Sequence, residues 1–120
     1  MSATKKYTWH KVADSLSELF PDSIVITERQ VDGKKLCFTL HQQQVFACAG
    51  TCPHAGGKMA EGYVDALGNI VCPLHRYKFS LQTGRNSSGE GYFLKTYPVD
   101  TRDEAVMVGF EERNLFDLFK

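Results

Sequence analysis

Two short segments constrain this chain more than anything else in it. Cys52-Pro53-His54 and Cys72-Pro73-Leu74-His75 each place a thiol and an imidazole within three residues of one another. Seventeen residues separate His54 from Cys72. Residues 51–60 hold two glycines and a proline, and a second loop opens at Cys72-Pro73. A fold that uses both segments together must bring two separate loops to one place.

The rest of the composition limits what those loops can serve. The chain has 120 residues, 42% hydrophobic and 23% charged, which is enough for one ordinary globular core. We expect a single domain over residues 1–120, with its core at about 9–110 and a short extension at 111–120. Fourteen basic residues balance fourteen acidic ones. That balance argues against a nucleic-acid binder, which needs a basic excess to neutralise phosphates. No apolar run approaches the ~20 residues of a membrane helix. The first ten residues lack the apolar stretch of a secretory signal. The expected compartment is therefore the cytoplasm. In that reducing setting, four cysteines point to metal binding or plain packing rather than to a disulfide framework.

Short alternating runs split by Gly, Asn and Asp predict strands at 8–12, 23–31, 35–41, 44–48, 62–65, 70–71, 77–81, 92–97 and 104–110. Residues 14–20 carry Leu16, Leu19 and Phe20 at helical spacing; Asp14 or Ser15 can cap that helix and Pro21 ends it. Trp9 is expected to anchor the core. Asp32-Gly33 is a strong hairpin turn, because glycine accepts a positive φ. A two-residue turn at Gln42-Gln43 would pair His41 with Gln44 and set Cys37 opposite Cys48. That would be a hydrogen-bonded pair, where side chains stand farther apart. Cys37 and Cys48 are therefore read as small buried strand residues, and His10 and His41 as solvent-facing. The polar stretch 85–91 reads as an exposed, mobile loop. The C-terminal Leu115, Phe116, Leu118 and Phe119 follow a helix-like pattern. Many short strands with frequent turns predict an all-β antiparallel sandwich or small barrel.

The chemistry lies in Cys52, His54, Cys72 and His75. Thiolate suits soft metals and iron–sulfur clusters, and imidazole suits iron, zinc and copper. The four could be unrelated residues, or could hold zinc. Structural zinc sites, however, group cysteines together. Here each loop mixes the two types. A mixed pair on each loop suits a two-iron cluster with both cysteines on one iron and both histidines on the other, the ligand set of a Rieske [2Fe–2S] centre.

Cys52-Pro53-His54-Ala55-Gly56-Gly57 and Cys72-Pro73-Leu74-His75-Arg76-Tyr77-Lys78-Phe79 resemble the two cluster-binding boxes of Rieske proteins. The turn Gln82-Thr83-Gly84-Arg85 and the segment Leu94-Lys95-Thr96-Tyr97-Pro98-Val99 are also similar to that family, so the likeness covers roughly residues 9–110. It implies a Rieske fold, antiparallel β-sheets with one [2Fe–2S] cluster held between two loops at one tip. Respiratory-chain members carry an extra cysteine in each box; the matching positions here are Gly57 and Leu74, so that disulfide cannot form. Those proteins also use a serine and a tyrosine to donate hydrogen bonds to sulfur, at positions that are Tyr77 and Phe79 in this chain. Such bonds favour the more negative reduced cluster. Their loss places the expected potential at roughly −150 to 0 mV, the low end of the Rieske range.

Two ferric ions, two sulfides and two thiolates sum to zero charge, and one electron makes minus one. A small charge at a half-exposed tip lowers the desolvation cost of reduction. Lys58 and Arg76 could form a basic rim for an acidic partner. Pro53, Met59, Pro73 and Leu74 could form an apolar docking patch. The resemblance implies an electron carrier, not itself an enzyme, that takes an electron from a flavin reductase and passes it to a terminal oxygenase. A small subunit of a nitrite reductase-like complex and a redox-sensing Rieske protein are the alternatives. An oxygenase would need a second iron site with two histidines and a carboxylate, and only His10 and His41 remain.

Overall fold

The computed structural model describes residues 6–112 apart from 55, 88 and 90. The helix-like pattern of Leu115 to Phe119 therefore lies outside the described residues. Among the described residues, ten strands run in chain order with one short α-helix and one 3-10 turn (Met59–Glu61). They are β1 (Tyr7–Ala13), α1 (Leu16–Leu19), β2 (Ile26–Val31), β3 (Lys34–His41), β4 (Gln44–Ala49), β5 (Tyr63–Val64), β6 (Asn69–Val71), β7 (Lys78–Ser80), β8 (Thr96–Tyr97), β9 (Val99–Arg102) and β10 (Ala105–Glu111). They form three antiparallel sheets, ordered β1-β10-β9, β2-β3-β4-β8 and β5-β6-β7.

Turn chemistry sets the register. The β2–β3 hairpin closes over Asp32-Gly33 at φ 49° and 80°. The β3–β4 hairpin closes over Gln42-Gln43 at φ 51° and 66°, which pairs His41 with Gln44 and Cys37 with Cys48, as the sequence predicts. Two left-handed central residues match the twist of the flanking strands. The glutamines pay for that geometry where glycine would not. In α1 the Ser15 hydroxyl accepts from the Glu18 backbone N–H at 3.2 Å and so caps the helix. Thr27 donates its hydroxyl to the Leu19 carbonyl at 2.8 Å and ties the other end to β2.

The middle sheet explains the architecture. β3 buries Leu36, Cys37, Phe38 and Thr39 in succession, so both of its faces are covered. On one face Leu36, Phe38 and Ala47 meet Ala13, Val106, Val108 and Phe110 of the first sheet, which makes the sandwich. On the other face Cys37 and Cys48 join Cys52, Met59, Ile70, Cys72 and Phe79, beneath the third sheet and its loops.

Several expectations need correction. The strand expected at 92–97 shrinks to β8, and β9 was not foreseen. Pro98 lies between them. It cannot donate to a ladder, so the chain turns there from the second sheet into the first. β9 and β10 join over Asp103-Glu104, at φ 50° and 73°, a tight turn without the glycine that would have marked it. Trp9 is half-buried rather than a core anchor. It lies against Gly109, with the Arg102 guanidinium 5.0 Å from its ring. His10 and His41 are half-buried too, and the His10 ring packs 4.8 Å from Phe110. Residues 86 and 87 are pinned rather than loose. The Ser87 N–H bonds the Lys78 carbonyl at 2.9 Å, and the Ser87 hydroxyl reaches Asn69 at 3.1 Å.

Candidate metal centre

Both loops are closed by the same device. The Cys52 N–H bonds the carbonyl of Gly57, and the Cys72 N–H bonds that of Tyr77, each at 2.8 Å and each five residues along. Gly56 bonds back to the Cys52 carbonyl at 3.0 Å, and a bridge between Thr51 and Lys58 completes the first loop. These bonds fix where each cysteine and the histidine behind it must sit.

The loops then converge. Cys52 and Cys72 are both buried, and their thiols are close enough to hydrogen-bond to each other. Burial pushes the Cys72 thiol above its ordinary pKa; the Leu74 backbone N–H on its sulfur opposes this, and the neighbouring Cys52 adds to it. The His54 and His75 rings lie with centroids 5.0 Å apart. Gly57 lets the first loop pack closely on the second. A Cβ there would stand 3.1 Å from the Cys72 sulfur and 3.1 Å from Leu74 Cγ. His75 and Arg76 both hold left-handed backbone, φ 63° and 59°, so the second loop stores strain at the site.

The donor set fits a two-iron cluster. His54 Nδ1 is buried without a hydrogen-bond partner, which costs about 1–3 kcal/mol unless a ligand uses it. Glu28 Oε1 and Thr39 Oγ1 are likewise buried and unpartnered, but they are hard oxygens, one opposite Cys37 in the ladder and one two residues along. Among the described residues no three or more His, Cys, Asp or Glu gather round one point, as a lone ion requires. A sulfur pair beside an imidazole pair is the pattern in which each iron takes two protein donors and the inorganic sulfides supply the rest. Metal binding at such thiols displaces their protons.

Comparison with known proteins agrees. The model of the Rieske [2Fe-2S] domain matches residues 8–98. The naphthalene 1,2-dioxygenase system ferredoxin component of Pseudomonas aeruginosa is 32% identical over 79 residues, which are 65% of this chain and 75% of that one. The ferredoxin of carbazole 1,9a-dioxygenase from Nocardioides aromaticivorans IC177 superposes with a TM-score of 0.74 at 28% identity, covering 84% of this chain and 96% of that one. A protein assigned as an NADH-dependent nitrite reductase small subunit from Mycobacterium tuberculosis gives a TM-score of 0.78 over 90% of this chain and 99% of that one. At 18% identity that likeness speaks to the fold alone. The chain belongs to the Rieske [2Fe-2S] family, and its cofactor is a Rieske [2Fe–2S] cluster.

Around the four candidate residues, Lys58, Pro53, Pro73, Leu74 and Arg76 are exposed, as a docking rim demands. Met59 is fully buried and belongs to the core beneath, not to a surface patch. Phe79, also fully buried, has no polar atom to offer sulfur. Tyr77 and Tyr92 pack on His54, a contact that residue order alone does not signal. Their ring centroids lie 3.9 and 5.1 Å from its own. Nothing in the order of residues links Tyr92 to the boxes; the link comes from the bridge between Arg85 and Phe93 that returns its segment to the tip.

Proposed function

We propose that Cys52, His54, Cys72 and His75 hold the cluster, and that the chain, acting as one domain, is the ferredoxin component of an oxygenase system. When bound, the cluster takes up and releases one electron at a time. The observation that carries this reading is the convergence of the boxes, with thiols facing each other and imidazoles 5.0 Å apart. The similar dioxygenase-system ferredoxins support an oxygenase as the acceptor, and the donor in this reading is a flavin reductase.

The chain's own residues do the remaining work. Met59, Ile70, Phe79 and Leu94 keep water from the sulfur side, since all four are buried beneath the loops. The Leu74 N–H supplies one hydrogen bond to the Cys72 sulfur. Phe79 supplies none, which keeps the expected potential at roughly −150 to 0 mV. Exposed Lys58 and Arg76 offer cations to an acidic partner face. Among the described residues no helix is long and apolar enough to cross a membrane. We place the carrier in the cytoplasm with its reductase.

Anaerobic reconstitution with ferrous iron and sulfide, followed by a redox titration, tests this reading. The expected product is brown, gives a spin resonance when reduced, and relays electrons from a reductase to an oxygenase. A colourless product, or a potential above about +200 mV, within the upper Rieske range, would sink it.

A further inference from the structure

The two imidazoles are covered differently. The His54 ring lies face to face with Tyr77, centroids 3.9 Å and planes 23° apart, and meets the edge of Tyr92 at 5.1 Å and 61°. The tyrosines touch each other at 5.5 Å. His75, by contrast, is exposed, together with Pro73, Leu74 and Arg76 on its own loop.

This cover is anchored on two segments. The carbonyl of Tyr77 accepts the bond that closes the second loop. Tyr92 precedes Phe93, which bridges to Arg85, and Leu94, whose N–H bonds the Gly84 carbonyl at 2.8 Å. That carbonyl approach is possible only because residue 84 is glycine; a Cβ there, at φ 79°, would collide with the Leu94 carbonyl. The aromatic cover is thus built into the backbone, and the stacked ring keeps His54 from turning its buried Nδ1 outward.

We propose that electron exchange in this protein is one-sided. Tyr77 and Tyr92 are positioning residues that seal and fix the His54 ring, and the partner docks over the His75 edge beside Arg76. The step transfers one electron from the reduced cluster to an oxidised iron–sulfur centre of the partner, with no bond made or broken. The inference rests on the ligand assignment proposed above.

Tyr92→Ala, Tyr77→Leu and Tyr77→Phe in the full, cluster-loaded chain test it. The measurements are the rate at which cobalt(III) tris-phenanthroline, a small outer-sphere oxidant, oxidises the reduced protein, and the spin-resonance line shape. Tyr92→Ala and Tyr77→Leu are each expected to speed that oxidation several-fold by opening the second edge. They should also broaden the lines as the His54 ring gains freedom. Tyr77→Phe should match the parent, because the ring and not the hydroxyl provides the cover. Tyr92 is 39% exposed, so its removal leaves the core intact and carries the test even where Tyr77→Leu fails to fold. Unchanged rates and lines, in protein whose electron–nuclear spectra report two coupled nitrogens, would overturn the cover and leave the ligands standing. Absence of those nitrogens in the parent would overturn the ligand assignment and the inference with it. A Tyr77→Phe variant that behaves like Tyr77→Leu would overturn the role given to the ring.

Discussion

The protein contains two buried cysteine pairs, and they differ in what surrounds them. Cys37 and Cys48 face each other across β3 and β4, and Cys52 and Cys72 face each other across two loops. All four are free thiols in one apolar cluster. Cys48 is held protonated, well above its ordinary pKa, first by its bond with Cys37 and then by burial. Cys72 is raised as well, chiefly by burial, yet a backbone N–H on its sulfur pulls the other way. The strand pair sits in a ladder whose main-chain donors are spent on neighbouring strands. The loop pair has a spare donor for sulfur and two imidazoles beside it. Burial of thiols makes a packing element; what makes a ligand site is convergent donors with unmet valence.

The widest gap between the pairs should open on deletion. Cys72→Ala is expected to abolish the visible chromophore and the reduced-state spin resonance. Cys37→Ala should keep full iron and lose about 1–2 kcal/mol of stability in urea melts. A Cys37→Ala protein without iron would erase the distinction.

Gly57→Ala probes the loop pair alone. The added methyl would crowd the Cys72 sulfur, and a cost of about 1–3 kcal/mol with reduced iron content is expected. Leu74→Ala in the same chain should restore part of it, because Leu74 is the other atom group in the way. Equal iron content in parent and Gly57→Ala would show that the two loops pack more loosely than described.

A smaller effect follows from backbone strain, which in the loop pair lies beside the candidate ligands and in the strand pair lies in the distant Gln42-Gln43 turn. Arg76→Gly removes a Cβ from a left-handed position and should stabilise the fold by about 1 kcal/mol. The same change removes an exposed cation, so partner binding should weaken and lose some salt dependence. Calorimetry of the partner complex at two salt concentrations separates the two outcomes.

The smallest expected effect is pH-dependent. Asp65 sits at the turn between β5 and β6, at the end of β6 away from the second loop. Burial would raise its pKa. The Asn69 backbone and side-chain bonds, the Leu67 N–H and the charge of Lys78 outweigh that and hold it below its ordinary value of 3.8. A depressed folded-state pKa stabilises the protein above the unfolded value, and that contribution fades as pH falls through the folded one. The β5-β6-β7 sheet should therefore loosen in acid before the strand pair does. Asp65→Asn should flatten the acid limb of stability against pH, and an unchanged limb would contradict the assignment.

Much of this was readable from residues, and the reasons are local. The Cys37–Cys48 register followed from counting outward from a two-residue turn. The ligand candidates followed from thiol and imidazole types at short spacing. Local rules failed where distant segments decide the outcome. β9 went unread because its turn, Asp103-Glu104, holds positive φ without glycine and because Pro98 ends one strand and prefaces another in a different sheet. Tyr77 was read only as a missing hydrogen-bond donor, since its packing on His54 depends on where the two loops meet.

The middle sheet, covered on both faces, has a consequence for changes made in the loops. Its far side is sealed by Leu36, Phe38, Val106 and Val108 without any help from the cysteine-bearing loops. That half of the core therefore owes none of its burial to the loops, and a change at Cys52 or Cys72 should leave it folded.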